Sequence, residues 1–281
     1  MTGTELPDFL KMLEPGLQDK GQRLCDLLTE MGSVVVAFSG GVDSGLLCAV
    51  GYRVLGDRLV AITVRSPVES AGDHKAAAAL ARQVGFAHRL VEFNDLENPK
   101  FVENPPDRCY HCKLGRFQAI REIAAEAGIH WIAEGSNADD AHDYRPGSRA
   151  VAELGIRSPL AEAGLSKAEI RALARALNLN VAERPSSPCL ATRFPYGAPV
   201  TAAGLGQVAR GEAFLGELGF EPVRVRHFGD TARLEVSAPA LGALVALRDD
   251  VLAYFRQLGF TYVEIDLAGY RSGSMNEVLK S

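Results

Sequence analysis

Between Val34 and Val50 the chain reads VVVAFSGGVDSGLLCAV. Val34–Phe38 is apolar and β-branched without alternation, the pattern of a short strand buried on both faces. Val42 to Leu55 reads as a helix, and only Ser39, Gly40 and Gly41 separate the two. A strand that turns at once into a helix points to an α/β architecture, and open α/β sheets bind ligands at such turns. The first turn of a helix has unpaired N–H groups and a partial charge of about half a unit, so it attracts phosphate. Gly40 and Gly41 let the backbone approach an anion, and Ser39 and Ser44 add hydroxyl donors. Asp43 has a use beside phosphate if it holds Mg²⁺. The lysine of the kinase-type phosphate loop is absent, so this is a different loop. The competing reading is a structural turn capped by Ser or Asp.

The surrounding pattern fits a parallel sheet with crossover helices on both faces. Strands are expected at Leu59–Val64, His88–Phe93 and Trp131–Glu134, and helices at Ala71 to Val84 and Leu114 to Ala127. A further helix runs from Ser166 to Leu177, with Ser166 as N-cap and Glu169 completing a capping box. The segment ERPSSPCLATRFPYGAP then brings in Pro185, Pro188, Pro195 and Pro199, which rule out a helix and mark a boundary or an active-site loop. Beyond it lie a helix near Ala202–Leu218, strands at Pro222–His227 and Ala232–Val236, a helix near Ala240–Leu258 and a strand at Tyr262–Asp266. That order suggests a small α+β domain with an antiparallel sheet.

Composition narrows the functional classes. The net charge of -5 over 281 residues argues against a general nucleic-acid or membrane-surface binder. No basic-then-apolar leader opens the chain and no apolar run is long enough to span a bilayer, so the expected setting is the cytoplasm. Five cysteines without a secretory signal read as reduced thiols, ligands or catalysts. Cys25 and Cys48 lie on apolar helical faces and read as core. Cys189 sits among prolines with Arg184 and Arg193 near in sequence, and neighbouring cations favour a thiolate nucleophile. Cys109 and Cys112 form RCYHCK, expected in a loop before a helix. That CxxC is open to redox, half-zinc, iron–sulfur or incidental readings; with Cys189 it supplies three thiolates for a [4Fe–4S] cluster with one open iron.

A second cluster follows the fourth strand. EGSNADDAHDYRPG offers Gly135, Asn137, Asp139, Asp140 and Asp143, then Arg145. Acidic residues at a second strand end can face the same phosphate site and hold Mg²⁺, the alternative being a solvated acidic loop. Arg65, just after the second strand, is placed to meet nucleotide or substrate, or to be a plain surface arginine. Arg193, Arg224, Arg226 and Arg233 are candidate cations for an anionic substrate. Period-two spacing puts Arg224 and Arg226 on one strand face, with Glu235 available to orient one of them.

The run SGGVDS resembles the signature of the PP-loop ATP pyrophosphatases, which include NAD synthase, GMP synthetase and tRNA thiolation enzymes. Taken with GSNADDAHDYRPG, SPLAEAGLSKAEIR, SSPCLATRFPYG and DLAGYRSGSMNE, the chain from about Val34 to Glu277 resembles the LarE family, ATP-dependent sulfur transferases of nickel-pincer cofactor biosynthesis. The resemblance implies a PP-loop domain over residues 1–195, including the Cys189 loop, and a smaller α+β domain for substrate and oligomerisation over 196–281. It implies ATP and Mg²⁺, with Ser39, Gly40, Gly41, Asp43, Ser44, Arg65, Gly135 and Asn137 at ATP and Asp43, Asp139 and Asp140 at the metal. It implies a pyridinium-3,5-biscarboxylic acid mononucleotide as substrate, met by Arg193, Arg224, Arg226 and Glu235. It further implies sulfur from Cys189, left as dehydroalanine, or delivery through a [4Fe–4S] cluster on Cys109, Cys112 and Cys189. A trimer-based hexamer without nucleic-acid or membrane partners is implied as well.

Two rivals remain at this level. Another PP-loop enzyme is the first: a tRNA thiolation enzyme should show a basic surface, and an amide-forming synthetase has no need of Cys189. A nucleotide-binding regulator without turnover is the second; intact Ser39, Asp43, Asp139 and Cys189 argue against it.

Overall fold

Val34, Val35 and Val36 are almost wholly buried because their strand has a neighbour on each edge and helices on each face. The computed structural model describes residues 7–142, 145–185 and 187–279. The chain forms two compact units, one of residues 1–66, 71–93 and 109–187, the other of residues 67–70, 94–108 and 188–281.

In chain order the elements are α1 (Pro15–Met31), β1 (Val34–Ala37), α2 (Val42–Leu55), β2 (Leu59–Arg65), α3 (Ala71–Val84), β3 (Ala87–Glu92), α4 (Pro99–Val102), α5 (Arg108–Glu126), β4 (Trp131–Ala133), α6 (Gly147–Glu153), α7 (Pro159–Glu162) and α8 (Lys167–Ala176). After these come α9 (Ala202–Glu217), β5 (Val223–Phe228), β6 (Thr231–Val236), α10 (Leu241–Ala246), α11 (Arg248–Gln257) and β7 (Tyr262–Ile265).

The first unit holds a four-stranded parallel sheet in the order β3-β2-β1-β4. Side chains alternate across it. Val34 and Val36 join the core made with Leu24 and Leu28 of α1, Leu46 and Leu47 of α2, Leu80 of α3 and Ile170 and Leu173 of α8. Val35 and Ile62 face the other way, into a core with Phe117 and Ile120 of α5 and Val151 of α6. A sheet covered on both faces brings the carboxyl ends of β1 and β4 to one rim, where the turn after Ala37 and the loop after Ala133 emerge. Cys25 and Cys48 are core residues, as expected; burial pushes the Cys25 thiol up to about 11 and the Cys48 thiol well above its usual value.

The second unit holds a three-stranded sheet in the order β5-β6-β7. Its expected all-antiparallel pattern is corrected: β5 and β6 form an antiparallel hairpin, but β6 and β7 run parallel. The long connection carrying α10 and α11 makes this possible, since a parallel pair needs a crossover and not a hairpin. The single helix expected near Ala240–Leu258 is broken at Leu247, the C-cap of α10 and the N-cap of α11. Asp249 and Asp250 in the first turn of α11 are the sequence sign of that new start.

The sequence placed residues 188–195 with the first domain, but they cluster with the second unit. Backbone bonds account for this, with Leu190 N–H donating to Val68 O at 2.7 Å, Gly197 N–H to Asn104 O at 2.9 Å and Val200 N–H to Val102 O at 2.9 Å. RCYHCK is likewise not a loop, because α5 begins at Arg108 and carries both Cys109 and Cys112 in its first turns. Pro105, Pro106 and Asp107 just before it are a helix-start signal.

Two half-buried histidines make stability depend on pH. His88 Nε2 lies 2.8 Å from Thr63 Oγ1 and the ring packs edge-on to Phe38. His227 stacks on Phe194 with centroids 4.7 Å apart. Burial lowers both pKa values below 6.5. The unfolded chain therefore takes up protons first, so this contribution is complete above the unfolded value and is lost as pH falls through it toward the folded values. The melting temperature is expected to drop between about pH 7.5 and about pH 5.5, the range spanning an unperturbed histidine; a rise over that interval would contradict the assignment.

Candidate functional site

In the first unit, the turn after β1 is shaped by its own hydroxyls. Ser39 N–H donates to Ser44 Oγ at 3.2 Å, the two hydroxyls lie 3.0 Å apart, and Gly41 N–H reaches Ser39 Oγ at 3.4 Å. Gly40 has φ +76°, and a Cβ there would lie 2.8 Å from Asp73 O, so only glycine fits. Gly41 is the N-cap of α2 and no side chain caps the helix, which leaves the first N–H groups to an incoming acceptor. Arg184, expected beside Cys189, is committed elsewhere. Its Nη1 donates to Gly40 O at 2.9 Å and its Nη2 pairs with Asp73 at 2.7 Å, pinning the turn to α3.

The loop after β4 is knitted to this turn. Gly135 packs so closely on the start of α2 that a Cβ would come 2.8 Å from Ser44 N, which gives this glycine a steric role. Asn137 is the hub: its Nδ2 donates to Asp43 Oδ1 at 3.3 Å, its Oδ1 accepts from Asp139 N–H at 3.0 Å, and its N–H donates to Asp140 Oδ2 at 3.0 Å. Lys167, at the first position of α8, forms an ion pair with Asp43, while its N–H donates to Asp139 Oδ2 at 2.8 Å. The sequence reading missed Lys167 as a site residue, although it quoted the SKAEIR run that contains it; the capping box of Ser166 and Glu169 fixes where α8 starts and so places this lysine. Behind the loop, Glu134 is buried and meets Lys113 Nζ at 3.1 Å, Ser136 N–H at 3.0 Å and Ser158 Oγ at 2.7 Å. Burial alone would raise its pKa, but these partners outweigh burial and hold it below the usual value.

The donors suit a nucleotide triphosphate: open helix N–H groups, a glycine cradle, two hydroxyls and a lysine. Mg²⁺ fits only in part. Among the described residues no group of three or more His, Cys, Asp or Glu is arranged around a metal site. Asp43 offers one carboxylate, which suits a Mg²⁺ completed by phosphate oxygens. Asp139 and Asp140, expected at the metal, accept from the backbone of Lys167 and Asn137, and Asp140 also pairs with Arg145 at 2.8 Å. Asp143 lies outside the described residues. Arg65, expected at nucleotide, is exposed and pairs with Glu92, its register partner on β3. The cluster reading of Cys109, Cys112 and Cys189 gains no support, because no three-ligand grouping forms among the described residues.

In the second unit, Cys189 is partly exposed and immediately precedes a 3₁₀ turn, Leu190–Arg193. Its carbonyl accepts from Thr192 Oγ1 at 2.8 Å and Arg193 Nη1 at 3.0 Å. Arg193 is buried and makes a two-point pair with Glu212 at 2.9 and 2.8 Å, and Glu212 also accepts from Val225 N–H at 3.0 Å. Arg226 pairs with Glu235 at 2.9 and 2.7 Å, both buried, and donates to Thr192 O at 3.1 Å. Arg193, Arg226 and Glu235, all expected at substrate, are thus committed to holding the turn that follows Cys189. Arg233 pairs with Glu264 in the open. Arg224 differs: it lies over the Tyr270 ring at 5.1 Å and has no ion pair among the described residues. Burial and the nearby Arg193 and Arg226 lower its pKa and outweigh the opposing pull of Glu212 and Tyr270.

The sheet, its rim turn and the uncapped helix define a PP-loop nucleotide-binding domain. The NAD synthase family model matches residues 23–104. The chain is 36% identical to the pyridinium-3,5-bisthiocarboxylic acid mononucleotide synthase of Lactiplantibacillus plantarum, over 94% of this chain and 96% of that protein. It is 40% identical to an uncharacterised protein of Synechocystis sp., over 94% and 99%. Similarity to the tRNA-specific 2-thiouridylase MnmA of Xanthobacter autotrophicus is 28% over 55% of this chain and 49% of that protein. The chain belongs to the LarE family of ATP-dependent sulfur transferases. Among the described residues no helix is long and apolar enough to cross a membrane.

Proposed function

We propose that this enzyme converts the carboxylates of a pyridinium-3,5-biscarboxylic acid mononucleotide to thiocarboxylates, with Cys189 as the sulfur donor. The observation that carries the reading is the presence in one unit of a partly exposed thiol, its loop locked through Arg193 and Thr192, and of the half-buried Arg224, which has no ion pair among the described residues. The full-length likeness to a synthase named for the bisthiocarboxylic acid product supports the same substrate. The tRNA reading is weaker, since that likeness spans about half of either chain.

A carboxylate is anionic and lacks a leaving group, so it must be activated. Its oxygen attacks the α phosphorus of ATP, pyrophosphate leaves, and an acyl-adenylate remains. The N–H groups at the start of α2, the Ser39 and Ser44 hydroxyls and Lys167 hold the phosphates during this step. Mg²⁺, when bound, neutralises phosphate charge, and Asp43 is the side chain that would hold it. The Cys189 thiolate attacks the acyl carbon and expels AMP, giving a thioester. A base then removes the Cys189 α proton, the Cβ–S bond breaks with its electrons going to sulfur, and the products are a thiocarboxylate and dehydroalanine at position 189. Each chain supplies one sulfur, so two chains serve each substrate. Arg224 binds the substrate phosphate or its second carboxylate. A cytoplasmic trimer-based hexamer belongs to the same reading.

Pyrophosphate release on mixing the chain with ATP, Mg²⁺ and the biscarboxylated nucleotide tests the class. Release that needs both ATP and the nucleotide is the expected result; none with this nucleotide would return the chain to the wider PP-loop group. Arg224→Met should raise KM for the nucleotide by about 10- to 100-fold, the loss of one charge-assisted contact. A KM unchanged within twofold would remove Arg224 from the substrate site.

A further inference from the structure

We propose that Asn104 and Arg108 are positioning residues that hold the Cys189 loop in register for sulfur transfer. The proposal rests on the reading of Cys189 as donor. The sequence singled out neither residue, Arg108 merely opening the RCYHCK run, yet both are buried in the second unit and both are spent on the backbone that follows the thiol.

Asn104 is fully buried and adopts φ +55°, a left-handed conformation that is uncommon outside glycine. Its Nδ2 donates to Pro195 O at 2.7 Å and Ala198 O at 3.0 Å, and its carbonyl accepts from Gly197 N–H at 2.9 Å. Arg108 Nη1 donates to Ala191 O at 2.9 Å and to Asn104 Oδ1. The short stretch from Asn104 to Arg108 therefore grips the loop at Ala191, two residues past the thiol, and again at Pro195 to Ala198.

The electrostatics of Arg108 set it apart from a stability device. It is 3% exposed, its Nε has no hydrogen-bond partner, and it forms no ion pair among the described residues. A buried cation facing neutral acceptors is costly, and an apolar residue would fill the space more cheaply. What the guanidinium supplies is direction: it ties the carbonyl of Ala191 to the Asn104 carboxamide. Thr192 and Arg193 hold the Cys189 carbonyl itself, so the clamp and these bonds together fix the loop on both sides of its turn.

The test uses the full chain with Asn104→Gly and, separately, Arg108→Met. Glycine keeps the left-handed backbone and removes only the carboxamide; methionine removes the charge and the donor to Ala191. Each variant is checked by melting, then assayed for pyrophosphate release, for single-turnover sulfur loss from Cys189, and for iodoacetamide alkylation of Cys189 without substrate. Pyrophosphate release is expected within about threefold of the parent, while sulfur transfer falls roughly tenfold or more, the scale of a misplaced reacting group. Alkylation should move the other way and become faster, because a loosened loop exposes the thiol. General destabilisation would not yield slower transfer, faster alkylation and intact adenylation together. Transfer and alkylation both within twofold of the parent, or pyrophosphate release falling in step with transfer, would overturn the clamp. Should the unmodified chain lose no sulfur from Cys189, the donor reading fails and the alkylation rates alone decide the clamp.

Discussion

Cys189→Ser is expected to release pyrophosphate from ATP and substrate while its sulfur transfer falls by at least roughly 10³-fold, the scale of removing a covalent nucleophile. The separation follows from the two units. The groups proposed for adenylation, from Ser39 to Ser44 with Lys167, all lie in the first unit, whereas Cys189 lies in the second. A serine can accept neither role of the thiol: it is a poorer nucleophile at neutral pH, and it carries no sulfur to give. Acyl-adenylate should therefore accumulate, or hydrolyse slowly to AMP and the starting carboxylate. Mass spectrometry of the small-molecule products checks this. Thiocarboxylate formed at the parental rate by the serine variant would remove Cys189 from the chemistry.

Asp43→Asn is expected to lower pyrophosphate release by on the order of 10²-fold, with sulfur transfer falling in step because it lies downstream. The substitution keeps size and shape but removes the charge that pairs with Lys167 and that would hold Mg²⁺. It should cost little stability. Both side chains are partly open to water, at 33% and 23% exposure, and such pairs contribute about 0–1 kcal/mol. A variant that melts near the parent yet adenylates slowly would thus locate the loss in the chemistry. Unchanged pyrophosphate release would mean that Asp43 only anchors Lys167 and Asn137.

The stretch from Val34 to Val50 carried most of what the sequence could say. β1 and α2 lie where their patterns placed them, α2 from Val42 to Leu55, because a doubly buried strand and a glycine turn leave few alternatives. The capping box at Ser166 was legible for the same reason: its chemistry is local. What could not be read was the commitment of long side chains. Arg193, Arg226 and Glu235 looked like substrate contacts, but their partners, Glu212 and one another, are set by how α9 and the β5–β6 hairpin pack. Lys167 and Asp43 lie more than a hundred residues apart and meet only because α2 and α8 pack together and start at the same rim. The parallel pairing of β6 and β7 was hidden behind the break at Leu247, where neither glycine nor proline signals a stop.

The intact mass of the full chain, before and after incubation with ATP, Mg²⁺ and the pyridinium biscarboxylate mononucleotide, tests the central claim most directly. Loss of the elements of H₂S, mapped to Cys189 and matched by one thiocarboxylate formed per chain, is the predicted result. An unchanged mass with thiocarboxylate formed would show that the sulfur comes from elsewhere and contradict a donor role for Cys189.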